Sequence, residues 1–325
     1  MRAEILEEVR KDFLSTEEKD CCKTAFLSAA IRGAGELGFT FKGFALSFRL
    51  SDPRLADKIA ECINSLCKTN LVKEESYIDM GYSKGNFYTL AVPVETAASL
   101  LERCAIVRNK CEIVEELPSS LVGKNCCKKA YLRGLFLSCG YLAVPDQISE
   151  WSGGKTRSGY AMEFNLNSAI VMEGVRKLIA TAAKLPLSKI LVRKKGSVVY
   201  LKTAEAVSAV LAAAGSSSGV LALQEIIAER QWKNDINRVN NFDLANVEKS
   251  MAASEKQLAD IEKIDRTVGI DSLGAALAET CRMRRAYPDA GLAELGEKFS
   301  PPISKSCINH RLRKISALAE GLKEN

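Results

Sequence analysis

The chain has 325 residues, 47% of them hydrophobic and 26% charged, with a formal net charge of +6; that length fits two or three domains, and that balance belongs to a soluble globular protein rather than a fibrous or disordered one. Its longest apolar runs, such as "VSAVLAAAG" from Val207, fall well short of the roughly 18 to 20 residues that cross a bilayer, so no membrane contact is expected. Eleven cysteines, an odd number, beside an N-terminus ("MRAEILEEVRKDF") without signal-peptide character argue against a disulfide framework and predict a cytoplasmic protein.

In chain order, the pattern predicts a helix from about Glu18 to Ala34, a strand in "ELGFTF", a turn at Lys42-Gly43 and a strand in "FALSFRL". Asp52 as N-cap and Pro53 at the first helical position open a helix running to about Cys67. A hairpin, "YIDMGYSKGNFYTLAV", is expected to turn at Lys84-Gly85-Asn86, and a short helix from about Glu95 to Arg103 closes the unit. The order then recurs: a helix over 124–139, strands near Tyr141–Ile148 and Tyr160–Leu166, a helix over 168–184, the hairpin "KILVRKKGSVVYLKT" and a helix over 204–214.

The recurrence is also written in the residues. "CCKTAFLSAAIRGAGEL" from Cys21 aligns with "CCKKAYLRGLFLSCGYL" from Cys126, and "FALSFRLSD" from Phe44 alternates as "YAMEFNLNS" from Tyr160 does, after an insertion around "WSGGKTRSG". The expected fold class is therefore α+β: a duplicated αββαββα saddle over about 18–104 and 124–214 within a domain spanning 1–215. Each sheet is expected to keep one face on helices and one free. Small residues four apart, Ala29 and Gly33 in the first copy and Gly134 and Ser138 in the second, predict that the two repeated helices cross closely at a pseudo-dyad. The Cys-Cys pairs lack C-x2-C spacing and the chain has a single histidine, so they read as small buried side chains, with no metal and no cofactor expected.

"LRGLFLSCG", from Leu132 to Gly140, resembles the LAGLIDADG helix of homing endonucleases, and the duplicated unit resembles their single-chain form. The resemblance implies an acidic metal ligand just before the last glycine of each helix; here Ala34 and Cys139 occupy those positions. Neither supplies the oxygen ligands that magnesium requires, so nuclease chemistry is expected to be lost. Glu36 does not restore a symmetric pair, since its counterpart is Tyr141.

Charge by segment runs −3 over 1–119, +9 over 120–205, −4 over 206–280 and +4 over 281–325. The second segment offers Lys155, Arg157, Arg193, Lys194 and Lys195 as auxiliary phosphate contacts, or simply as solvated cations on loops. The third reads as a helical linker over 216–270, drawn as two amphipathic helices. From 271 to 325 three shorter helices are expected, Asp271–Arg285, Leu292–Phe299 and Lys305 to about Leu318, with Pro301 and Pro302 setting a tight corner.

That corner and the basic helix after it have the layout of a helix-turn-helix, whose second helix reads the major groove. Ile308, Leu312 and Ile315 form its buried stripe, leaving Ser304, Lys305, Ser306, Asn309, His310, Arg311, Arg313 and Lys314 as candidate DNA contacts, Arg311 nearest the boundary. An ordinary three-helix cap with a basic face stays open as the alternative. "LAELGEKF" and "PPISKSCINHRLRKI" resemble the C-terminus of the WhiA family of bacterial regulators, with Cys307 where glycine is more usual. The resemblance spans essentially the whole chain. It implies a degenerate LAGLIDADG domain joined to a helix-turn-helix, binding of double-stranded DNA in the nucleoid, no enzymatic activity, and a role in cell division, chromosome segregation or sporulation control. Two other readings remain: a platform for a protein such as a sigma factor or another regulator, and a metal-dependent endonuclease.

Overall fold

The computed structural model describes residues 4–41, 43–79, 84–109, 112–145, 159–193 and 196–322. The chain forms two compact units, Met1–Ala228 and Glu229–Asn325. The first is α+β and duplicated. Helix α1 (Glu4–Ser15) precedes α2 (Asp20–Ala34), β1 (Gly35–Thr40), β2 (Gly43–Leu50), α3 (Pro53–Cys67), β3 (Glu74–Asp79), β4 (Lys84–Val92) and α4 (Val94–Arg103). A small hairpin, β5 (Val107–Arg108) and β6 (Glu112–Ile113), leads to the second copy. That copy comprises α5 (Asn125–Cys139), β7 (Gly140–Ala143), β8 (Ala161–Leu166), α6 (Ala169–Ala183), β9 (Ile190–Arg193), β10 (Gly196–Leu201) and α7 (Ala204–Ala214).

The two antiparallel sheets have matching strand orders, β1-β2-β4-β3 and β7-β8-β10-β9. Helix starts follow local chemistry: Asp52 Oδ1 accepts the Arg54 amide at 3.0 Å with Pro53 next to it, and Ser168 and Thr203 cap α6 and α7. One expectation fails. Asp79 pairs with Lys84, Ile78 with Gly85 and Tyr77 with Asn86, so Lys84-Gly85-Asn86 lies inside β4 and not in its turn; residues 80–83 lie outside the described residues. The Asn86 side chain holds this register by donating to Glu75 Oε1 across the strands at 2.7 Å.

Helices α2 and α5 cross as their small residues predict. A Cβ on Gly134 would lie 2.4 Å from the Phe26 carbonyl oxygen and 3.2 Å from Ala29 Cβ, and one on Gly33 would lie 2.2 Å from Ser138 Oγ. At Gly134 the obstacle is fixed backbone, so nothing larger than hydrogen fits while the helices stay this close; at Gly33 it is the Ser138 side chain. Around the crossing, Phe26, Leu27, Leu132 and Leu135 are buried, and Phe13 of α1 meets Phe136 edge-on with ring centroids 5.5 Å apart.

Two polar devices lock this core. Arg133, aligned with Ser28 of the first copy, donates from Nε and Nη2 to the two carboxylate oxygens of Glu18, both at 2.7 Å, and from Nη1 to the Ala214 carbonyl at 2.8 Å; arginine and glutamate are both buried. On α1, Asp12 accepts from the Ser216 and Ser218 hydroxyls and the Ser218 amide at 2.8–3.0 Å, tying the start of the next helix to α1.

That next helix, α8 (Ser217–Thr267), is a single element of 51 residues, where two amphipathic helices were expected. No proline and no glycine after Gly219 interrupts it, so nothing in the backbone ends the first helix. Its Leu223 and Ile226 join the core of the first unit, and its Ile261 and Ile264 join the core of the second.

The cysteine pairs depart from the sequence reading. Cys22 and Cys127 are buried, but Cys21 is exposed and Cys126 half-buried. All four sulfurs lie within 4.8 Å of one another, because the crossing of α2 and α5 brings their first turns together. A search for ligand spacing along one segment cannot see a cluster assembled from two copies of a repeat.

Candidate nucleic-acid interface

The second unit folds around Ile264, Ala278, Cys281, Leu295, Phe299, Ile308, Leu312 and Ile315. After α8 a short 3-10 turn, Ile270–Ser272, precedes α9 (Ala275–Ala286), so the helix expected from Asp271 starts four residues later. Asp271 instead pairs with Arg282, and Gly274 stands at the helix N-cap. Then come α10 (Leu292–Glu297) and α11 (Lys305–Gly321).

The corner between α10 and α11 depends on Gly296. Its carbonyl accepts the Ile303 amide at 3.1 Å, and a Cβ there would lie 2.3 Å from the Ile303 carbonyl oxygen. Arg284 braces the back of the corner: buried, it donates from Nη1 to the Ala290 carbonyl at 2.6 Å and from Nε to Gln257 Oε1 at 3.0 Å. Loss of hydration pulls its pKa below the usual arginine value. Arg285 pairs with Asp265 at 2.7 Å and holds that carboxyl below the usual carboxylate range.

Helix α11 buries Ile308, Leu312 and Ile315 and turns the opposite side to solvent. Lys305, Ser306, His310, Arg313 and Lys314 are exposed and Asn309 is half-buried, giving two adjacent rows, 305-309-313 and 306-310-314, along one side. Two of the expected contacts also have partners within the unit. Ser304 is the N-cap, its hydroxyl accepting the Cys307 amide at 3.3 Å. Arg311 lies across the Phe299 ring, 5.7 Å from its centroid, and donates toward the Ala276 carbonyl and Thr280 Oγ1 of α9. It bridges α11 and α9 from a half-buried position at the boundary.

Of the auxiliary phosphate contacts expected in the duplicated unit, one is among the described residues. Lys155, Arg157, Lys194 and Lys195 lie outside the described residues. Arg193 is described, and it faces Glu163 Oε2 at 3.7 Å. Strand register and alternation place Glu36, Ser47, Arg49, Glu74 and Thr89 on the helix-free face of the first sheet, and Tyr141, Glu163, Asn165, Leu191, Arg193 and Tyr200 on that of the second. Among the described residues those faces carry three acids against two arginines.

At the C-terminal end of the crossing helices, Ala34 packs against the core, while the Cys139 sulfur donates to the Leu135 carbonyl at 3.4 Å and burial pushes its thiol up to about 12. Neither is a hard-cation ligand. The cysteine quartet at the opposite end is the one grouping among the described residues with three or more metal-ligating side chains.

Comparison with known proteins agrees with this architecture from end to end. Residues 20–107 match the WhiA N-terminal LAGLIDADG-like domain, 128–233 the WhiA LAGLIDADG-like domain and 236–319 the WhiA C-terminal HTH domain. The probable cell division protein WhiA of Oceanobacillus iheyensis is 32% identical over 97% of this chain and 96% of its own; its Bacillus cereus counterpart is 34% identical with the same coverage. The crystal structure of full-length DUF199/WhiA from Thermatoga maritima superposes with a TM-score of 0.54 at 20% identity, covering 98% of this chain and 99% of that one. With identity above 30% along nearly the whole length and all three family domains in order, the chain belongs to the WhiA family.

Proposed function

We propose that this protein is a sequence-specific DNA-binding regulator of transcription, acting in bacterial cell division, chromosome segregation or sporulation control, located on the nucleoid and without nuclease activity. In this division of labour 271–325 binds duplex DNA, 216–270 connects, and 1–215 is a LAGLIDADG-like body freed from catalysis. The observation that carries the reading is the exposed side of α11. Lys305, Arg313 and Lys314, with Ser306, Asn309 and His310, stand on the second helix of a helix-turn-helix and face outward together. Arginine and lysine pair with guanine edges or phosphates, and asparagine with adenine. Ala34 and Cys139 support the absence of magnesium-dependent cleavage.

Genome-wide crosslinking of the intact protein, compared with Arg313→Ala, tests this. Discrete peaks sharing a motif and lost in the variant are the expected result; diffuse signal in both would refute sequence reading by α11. A magnesium-containing incubation with the bound sites should leave the DNA intact.

A second reading applies to the duplicated unit, which we infer holds a protein, such as a sigma factor or another regulator. It is favoured by the lack of cationic excess on the described sheet faces, where Tyr141 and Leu191 are 42% and 48% exposed. Charge removal at Arg193 would then leave DNA affinity intact, whereas Leu191→Asp would lose the partner from pull-downs.

A further inference from the structure

The four cysteines at the start of α2 and α5 have the composition and spacing of a metal centre. Cys21 and Cys22 occupy the second and third positions of α2, and Cys126 and Cys127 the second and third positions of α5. The sulfurs of Cys21 and Cys22 are 3.9 Å apart, those of Cys126 and Cys127 are 4.0 Å apart, and no two of the four exceed 4.8 Å. Four thiolates around one zinc ion at about 2.3 Å stand about 3.8 Å from each other at the corners of a tetrahedron. The two edges fixed within each helix already have nearly that length, and the edges between helices need to close by at most about one ångström. A dinuclear iron-sulfur rhomb would instead hold the two pairs further apart, with sulfide bridges between them.

The surroundings suit an anionic centre. Four thiolates on a divalent ion leave two negative charges, and each pair lies in the first turn of a helix, where backbone N–H groups present the positive end of the macrodipole. Neither helix has a side-chain cap on those N–H groups; the N-cap residues are Lys19 and Lys124. Lys128 follows the second pair directly in the chain; Lys23 follows the first, with its Nζ donating to Asp20 and Ser65. Burial is graded as a structural site needs: Cys22 and Cys127 are 3% and 5% exposed, while Cys21 opens to solvent and gives an entering ion a way in.

We propose that Cys21, Cys22, Cys126 and Cys127 bind a single thiophilic divalent cation, zinc, as a tetrathiolate clamp across the pseudo-dyad. Each thiol gives up its proton to solvent as the ion binds, so loading is tighter at higher pH. The centre joins the two copies at the end of the helix pair opposite Ala34 and Cys139, and it is structural: four protein ligands leave no open position for a substrate. It does not depend on the proposed DNA-binding role.

The test uses the full chain, purified reduced and without chelator. Elemental analysis should find stoichiometric zinc, and cobalt(II) added to the metal-free protein should give the thiolate charge-transfer and intense visible bands of a tetrahedral tetrathiolate. Cys21→Ser with Cys126→Ser, the two more accessible ligands, should abolish those bands and lower the melting temperature, while Cys67→Ser keeps both. If the double variant fails to fold, the wild-type cobalt spectrum decides alone. Absence of tetrathiolate bands in the reduced wild type, persistence of the bands in a folded double variant, or zinc uptake with all four thiols still freely reactive would each overturn the proposal.

Discussion

Arginine is used differently in the two units. In the duplicated unit Arg133 is clamped by Glu18, Arg32 donates to the carbonyls of Ala105, Val114 and Glu116 at 2.8–3.1 Å, and Arg193 faces Glu163. In the C-terminal unit Arg284 and Arg311 are likewise committed to carbonyls and a ring, yet Lys305, Arg313 and Lys314 stand on an exposed side of α11. On the described sheet face of the second copy the one basic side chain, Arg193, faces Glu163, while the C-terminal unit includes an outward basic stripe. A cation becomes scaffold when a carboxylate or carbonyl is within reach, and it stays open to solvent when none is.

The strongest way to break this contrast is at the scaffold end. Arg133→Ala leaves the buried Glu18 carboxylate without its bidentate partner, and removal of one member of a buried pair costs about 3–5 kcal/mol. Chemical denaturation should show that loss in the transition of the duplicated unit. A loss below about 1 kcal/mol, the range of exposed pairs, would mean that Glu18 is solvated in solution.

Next in size is the helix crossing. Gly134→Ala drives a methyl group against the Phe26 carbonyl, a fixed backbone atom, and overpacking of this kind costs about 1–3 kcal/mol. Gly33→Ala meets the Ser138 side chain first, which can rotate away, so its melting temperature should fall less. Equal losses at the two sites would show that Ser138 is as rigid as backbone.

At the recognition end, Arg313→Ala should weaken binding to the specific site by about 1–3 kcal/mol if it reads a base, with the melting temperature unchanged. Lys314→Ala should lower affinity for all sequences alike and make the salt dependence shallower, since about one fewer counterion is released. Ser304→Ala touches both properties, because the lost cap costs about 1 kcal/mol of stability and frays the turn that carries Lys305 and Ser306.

Much of this organisation was legible in the chain. Asp52-Pro53 fixed the start of α3, the alternating strands fixed both sheets, and Ala29, Gly33, Gly134 and Ser138 located the crossing, since each signal is local or repeated. What escaped depends on partners distant in sequence. The β3–β4 register is braced by the Asn86–Glu75 side-chain hydrogen bond, the Arg133–Glu18 bond spans both copies, and the cysteine quartet exists only once the helices cross. The candidate DNA contacts divide the same way. The apolar stripe of α11 placed Lys305, Arg313 and Lys314 outside and Arg311 at the boundary, where it is half-buried, but only Phe299 and α9 show what Arg311 touches there.

The smallest expected effect sharpens the contrast most. Arg193 has a half-exposed side chain, and its 3.7 Å approach to Glu163 is a surface pair, for which about 0–1 kcal/mol is usual and salt removes most of that. Arg193→Ala should leave the melting temperature nearly unchanged. If the sheet face stays away from DNA, the slope of log affinity against log salt also stays where it is in the intact protein. If the variant instead makes the slope shallower by about one, Arg193 neutralises a phosphate and the duplicated unit shares the DNA surface with α11. Glu163→Gln resolves which case holds: releasing Arg193 from its acid partner should then tighten binding, whereas an arginine that only balances Glu163 would leave affinity alone.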